Sequence, residues 1–461
     1  MSFVSFRFWL VFPVIFLAYW AIPARHIAWR KVLLVLASYL LYMNWKPVFA
    51  LVLLFVTLVT FWGGSCLGNQ SRPRKKRRLA LCFALLGLLP LLAFKYYDFL
   101  NDSLGAGLSA VGLRFALPGL NWAVPVGISF FTLQAVGYML DVYHGRTEAE
   151  KNLLDYVLFV SFFPQVTSGP ISTSRELLPQ IKQARSFDYG QGKQGLKSLL
   201  WGMFLKLVVA DRLGLYVDAV FDNYYRFSGA DCLLASLFYS IQIYCDFAGY
   251  SLMAVGVAKT LGFNLIDNFR RPYFATGIRD FWKRWHISLT RWLTQQVYIP
   301  LGGNRCSRAR NCLNILLTFL VSGLWHGAAW TFLAWGCIHG LLLIAEKTLK
   351  LRPGRVGTFL LVTVAWVFFR MPDLSGAVGV LGKIFTDFGT LHGSLLSVTD
   401  IVMYVAGIGI LVFKDARDEF APGRFGFLNR GLLRWSTYVL LFVMVLGIGV
   451  LDGGQFIYAG F

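Results

Sequence analysis

The chain has 461 residues, 57% of them hydrophobic and only 15% charged, with a mean hydropathy of +0.59. A water-soluble protein carries about a quarter charged residues, so this composition excludes ordinary soluble enzymes, disordered chains and collagen, and dissolves the chain in lipid. The 44 Lys and Arg against 23 Asp and Glu leave a net charge of +21, which in such a chain first reflects loops held on the cytoplasmic side rather than nucleic acid.

From the amino terminus, Arg7 is the only basic residue before Phe8 to Ile22, and there is no clear small-residue cleavage site, so the apolar stretch near 3–22 reads as a retained span rather than a signal peptide. Further apolar stretches of roughly 17 to 25 residues follow near 30–45, 47–64, 79–95, 123–141, 195–221, 232–262, 311–333, 335–349, 357–371, 398–414 and 436–452. None shows the alternation of barrel strands. The expected fold is therefore all-α and polytopic, a single transmembrane domain over 1–461 with about 11–12 membrane helices. The stretch Leu153 to Phe163, followed by Pro164 and Gly169-Pro170, is too short to cross and reads as re-entrant or interfacial. The basic runs at 25–31, 72–78, 270–310, 347–355 and 414–434 then fall on one side, the cytoplasmic one, with both chain ends outside. The seven cysteines form no CxxC pair, and neither zinc nor a disulfide framework is expected.

The informative stretch is 238–345, where polar groups sit among apolar ones and each is expensive unless paired or functional. Asp246, in the run Tyr244-Cys-Asp-Phe-Ala-Gly-Tyr250-Ser251, either braces the bundle or orients a catalytic group, and nothing in the sequence names its partner. Between 270 and 310 nine basic residues accompany Asp280 alone, interleaved with Trp282, Trp285 and Trp292. Helical spacing puts Trp282, Trp285, Leu289 and Trp292 on one face of an amphipathic helix at the inner interface. The same surface, through Arg279, Lys283, Arg284, Arg291 and Arg305, suits a polyanionic substrate such as coenzyme A. His286 in this segment is either an interfacial hydrogen-bonding residue or part of a reaction path.

His326, in Ser322-Gly-Leu-Trp-His-Gly-Ala-Ala-Trp330, falls about 15 residues, or about 22 Å, into the span starting near Asn311. A neutral imidazole there can take a proton from an attacking hydroxyl, while a lone histidine satisfied by a neighbouring helix is the bland alternative. Gly323 and Gly327 would let a helix or a long thin ligand come close. His339 reads as packing or support, and His26, His144 and His392 fall in loops.

Four runs carry a resemblance: Asp246-Phe-Ala-Gly-Tyr-Ser251, Arg279-Asp-Phe-Trp-Lys-Arg-Trp-His-Ile-Ser-Leu289, Tyr298-Ile-Pro-Leu-Gly-Gly-Asn-Arg305 and Leu324-Trp-His-Gly-Ala-Ala-Trp330. Together, in this order, they resemble the membrane-bound O-acyltransferase family in its bacterial alginate O-acetyltransferase branch. The resemblance implies a multi-pass enzyme of the bacterial inner membrane, moving acetyl from cytoplasmic acetyl-CoA toward an extracytoplasmic polysaccharide with a separate SGNH-type acetyltransferase partner. No permanently bound cofactor or metal is implied. His326 matches the family's principal catalytic histidine and His286 its second; Asp246, Tyr250, Ser251 and Trp325 would support them. The tail 453–461 resembles an aromatic terminus in which Tyr458 either relays the acyl group covalently or anchors the chain at the interface. Leu252, Thr294-Gln295-Gln296 and Ala459-Gly460 depart from the branch pattern and bear on acceptor choice and partner docking. The nearest alternatives are D-alanyl transfer to teichoic acid from a carrier-protein thioester, and a glycan-lipid transporter in which no bond changes.

Overall fold

The computed structural model describes residues 3–113, 117–421, 431–450 and 457, and among these every regular element is helical. They divide into two compact units, one running up to Leu196 and including Ala254–Ile266, the other made of Lys197–Met253 and the described residues from Asp267 onward.

The first unit holds α1 (Phe6–Ala21), α2 (Ile27–Met43), α3 (Pro47–Gly68), α4 (Pro73–Leu91), α5 (Tyr97–Ala110), α6 (Ile128–Tyr143), α7 (Leu153–Ser161) and α8 (Ser174–Lys182). Local chemistry sets the starts. The Ser5 and Asn152 side chains accept from free N–H groups at the heads of α1 and α7, a Thr173/Glu176 capping box opens α8, and proline opens α3 and α4. The nine-residue α7 is about 14 Å long, well short of a hydrocarbon core. Its Tyr156 is fully buried and donates to Thr60 Oγ1 of α3.

Two long helices, α9 (Tyr189–Met203) and α11 (Gly229–Thr260), contribute to both units. The second unit continues from α9 through a π-helical stretch, Phe204–Ala210, into α10 (Asp211–Phe221). After α11 come the short α12 (Ile278–Arg284) and α13 (Ile287–Leu293), then α14 (Arg308–His326), α15 (Trp330–Thr348), α16 (Gly354–Arg370), α17 (Leu374–Thr386), α18 (Val398–Phe420) and α19 (Gly431–Gly447).

By length and composition, Pro47–Gly68, Pro73–Ala110 and Gly229–Thr260 are each able to cross a bilayer, and Phe6–Ala21 with Ala24–Met43, bent by 109°, pass the same test as a pair. Two sequence expectations change. The span expected over 311–333 stops at His326, and the next helix begins at Trp330 rather than 335. The cause is steric. A Cβ on Gly323 would lie 2.3 Å from the Phe332 carbonyl oxygen, and one on Gly327 would lie 2.0 Å from the Phe332 ring, so these glycines admit the chain's own α15 rather than a ligand. The single amphipathic helix expected over 282–292 is two helices broken at Trp285-His286, with His286 in the left-handed region at φ 42°. Trp282 and Trp285 consequently point into the protein core, 6% and 0% exposed, instead of lining a lipid-facing stripe.

Candidate active site

The break between α12 and α13 is built by main-chain bonds from the segment after α11. Arg270 N–H donates to the Arg284 carbonyl and Ile287 N–H to the Asn268 carbonyl, both at 2.9 Å. At its head α12 is held by Glu346 of α15, whose carboxylate accepts from the N–H groups of Ile278 at 2.5 Å and Arg279 at 3.3 Å. The chain is thereby turned so that the His286 side chain points inward, fully buried.

Its ring lies 4.6 Å from Phe247, 5.5 Å from Trp325 and 6.4 Å from His326, centroid to centroid. His326, the last residue of α14 and 1% exposed, stands edge-on to Trp325 at 4.8 Å, Trp335 at 4.9 Å and Phe369 at 5.2 Å. The two histidines that the sequence singled out, 40 positions apart, are thus brought into one aromatic chamber, with Trp325 touching both. His326 ends its helix instead of interrupting a longer one, so its ring is placed by a helix terminus and by α15 and α16 beyond it.

A third imidazole belongs to the same cluster. His339 is fully buried, 4.9 Å from Trp335, stacked on Phe281 and Phe319, and its Nδ1 accepts from the Trp282 indole N–H at 3.3 Å. Accepting there places the ring proton on Nε2. These are packing contacts, one of the two readings, packing or support, that the sequence left for His339.

Asp246 has a partner the sequence did not name. Lys206, on the π-helical stretch and 1% exposed, places its ammonium 2.6 Å from Asp246 Oδ1 and 2.6 Å from Asp211 Oδ1, with the Tyr250 ring 5.5 Å away. The other Asp246 oxygen accepts the backbone N–H of Ile457 at 2.9 Å. Asp246 and Tyr250 therefore belong to an ionic cluster rather than to the histidine rings, although Phe247, the next residue, packs on His286. Ser251 is buried, with no hydrogen bond to either histidine among the described residues. A lysine inside the apolar run 195–221 was the available signal for this cluster. Tyr458 lies outside the described residues.

The basic candidates divide. Arg279, Lys283 and Arg305 are exposed and Arg291 is half-buried. Arg284 is a correction: its guanidinium is committed to Asp280 at 3.0 Å and to Glu419 at 2.9 Å, a carboxylate that Arg271 also holds at 2.7 Å. Burial acts to raise the Glu419 carboxyl, but the hydrogen bonds from Arg271 and Arg284 outweigh it and hold the group below the usual glutamate range. Arg284 fastens α12 to the end of α18 and is not a free anion contact.

The sequence that carries these two imidazoles is similar to proteins of known type. The membrane-bound O-acyltransferase family profile covers residues 149–352, which include both histidines. A probable alginate O-acetylase AlgI of Pseudomonas syringae pv. tomato is 34% identical over 91% of this chain and 83% of its own length. That of Pseudomonas aeruginosa is 36% identical over 90% and 80%, and a peptidoglycan O-acetyltransferase of Helicobacter pylori 35% identical over 80% and 76%. The chain belongs to the membrane-bound O-acyltransferase family. It is a multi-pass membrane enzyme that transfers an acyl group to oxygen.

Proposed function

We propose that this acyltransferase moves acetyl from cytoplasmic acetyl-CoA across the bacterial inner membrane toward an exported polysaccharide, acting with an extracytoplasmic SGNH-type acetyltransferase. The observation that carries the reading is the meeting of His286 and His326, rings 6.4 Å apart and both buried, in a chain similar over most of its length to alginate and peptidoglycan O-acetyltransferases.

In this mechanism His326 removes the proton from the accepting hydroxyl as that oxygen attacks the thioester carbonyl. The C–S bond breaks, the acetyl ester forms on the accepting oxygen, and the proton passes from the imidazolium to the departing thiolate, so that His326 is neutral again and coenzyme A leaves as the thiol. The rings of Trp325, Trp335 and Phe369 exclude water, which would otherwise hydrolyse the thioester. His286 orients the incoming thioester, and the exposed Arg279, Lys283 and Arg305 attract the donor's phosphates. Tyr458 is the proposed first acceptor. The residue before it, Ile457, donates its backbone N–H to the Asp246 carboxylate at 2.9 Å.

Purified protein incubated with radiolabelled acetyl-CoA tests the reading. Thioester cleavage that disappears in His326→Ala is the expected result; cleavage unchanged by that substitution rejects the assigned base. Consumption of a D-alanyl carrier-protein thioester in place of acetyl-CoA rejects the donor. Tyr458→Phe keeps the ring and removes the hydroxyl, so undiminished polysaccharide acetylation in that variant ends the relay.

A further inference from the structure

We propose that Asn268 is the positioning residue for His286, fixing which ring nitrogen carries the proton and where the ring points. The inference rests on the reading of His286 as part of the transfer path.

Asn268 is 2% exposed and lies in the segment between α11 and α12. Its side-chain Oδ1 faces three donors: the Ser288 backbone N–H at 3.1 Å, the Ser288 hydroxyl at 2.9 Å and His286 Nδ1 at 3.2 Å. A backbone N–H only donates, so the amide atom facing it is the oxygen, and the orientation of the amide follows from chemistry. An oxygen acceptor against Nδ1 requires the proton on that nitrogen and leaves the lone pair on Nε2. The same residue's carbonyl accepts from Ile287 N–H, and Thr290 N–H closes on the His286 carbonyl at 3.0 Å. Together these bonds hold His286 in a left-handed conformation that a residue with a side chain rarely adopts.

The choice of an amide over a carboxylate points to function. An aspartate here would satisfy the same three donors. The asparagine instead leaves its Nδ2 buried with no hydrogen-bond partner among the described residues. What the amide supplies is neutrality. A carboxylate against Nδ1 would favour the imidazolium and remove the Nε2 lone pair, in a setting whose other near rings are Phe247, Trp325 and the titratable His326.

Asn268→Asp and Asn268→Ala separate positioning from stapling. In acetyl-CoA cleavage by the purified protein, Asn268→Ala is expected to lower kcat about ten- to a hundredfold, with KM for the donor changed by less than about threefold. Asn268→Asp keeps all three bonds, and the acid limb of its kcat profile moves up by about one pH unit or more. A wild-type pH profile in Asn268→Asp, or a wild-type kcat in Asn268→Ala, overturns the proposal. A second readout is independent of turnover. Histidine ring 15N shifts, assigned by loss of the signal in His286→Ala, are expected to show the Nδ1–H tautomer in the wild type and a mixture in Asn268→Ala. An Nε2–H tautomer in the wild type rejects the role of Asn268. Absence of acetyl-CoA cleavage by the wild type, with the Nδ1–H tautomer present, rejects the donor and leaves the positioning intact.

Discussion

Two of the clusters of polar groups that the second unit buries are built oppositely. Around Lys206 the groups are ions: one ammonium lies 2.6 Å from each of two carboxylates, and a backbone N–H fills another acceptor. Around His326 the neighbours are rings, with Trp325, Trp335 and Phe369 within 5.2 Å. The ionic cluster ties α10 and α11 to the π-helical stretch. The chamber surrounds its imidazoles with aromatic rings instead of ions. Two neighbouring residues, Asp246 and Phe247, face these two places, so one turn of α11 couples the brace to the chamber.

Substitution should pull the two apart. The largest effect falls on chemistry: His326→Ala is expected to reduce acyl transfer about a thousandfold while the melting temperature in detergent shifts only slightly. Lys206→Met should do the reverse in kind. It strands two buried carboxylates and destabilises the fold by about 3 to 5 kcal/mol, read as loss of monodisperse protein in size-exclusion chromatography. Adding Asp211→Asn and Asp246→Asn to that variant should recover most of the folded yield, since the charges then vanish together. Equal loss in the single and triple variants would mean the cluster does something other than balance charge.

A smaller effect tests how the chamber is walled. The Cβ of Gly327→Ala would collide with the Phe332 ring, which packs 5.0 Å from Phe369, itself against His326. A destabilisation of about 1 to 3 kcal/mol with about tenfold lower turnover is expected, measured by melting and by thioester cleavage. The smallest effect belongs to the surface. Arg279→Ala with Lys283→Ala should raise KM for the donor about threefold at low salt, leave kcat alone, and lose the difference at high salt.

Much of the site is legible from sequence, because a histidine or an aspartate in an apolar run is conspicuous wherever its partner lies. The long-range partners are not. Lys206 and Asp246 are 40 positions apart, and the pairing depends on a π-helical stretch that spacing does not reveal. The break at His286 is hidden for a related reason: left-handed backbone is usually announced by glycine, whereas here a histidine is forced into it by bonds from residues 268 and 270. Periodicity through Trp282, Trp285, Leu289 and Trp292 suits one amphipathic helix, and tertiary hydrogen bonds override it. The end of α14 at His326 is likewise hidden, because hydropathy merges into one span the positions between which Gly327 leaves room for the Phe332 ring. Asn268 carries no signal of its own, since asparagine is common in any loop.

The central claim is that a thioester is opened in the chamber between His286 and His326. Cryo-electron microscopy of the protein with a non-hydrolysable acetyl-CoA analogue tests it most directly. The account predicts density for the acyl carbonyl within about 3.5 Å of the His326 ring, with the nucleotide end toward Arg279, Lys283 and Arg305. Analogue bound elsewhere, with the rings of Trp325, Trp335 and Phe369 still sealed around His326, would contradict it.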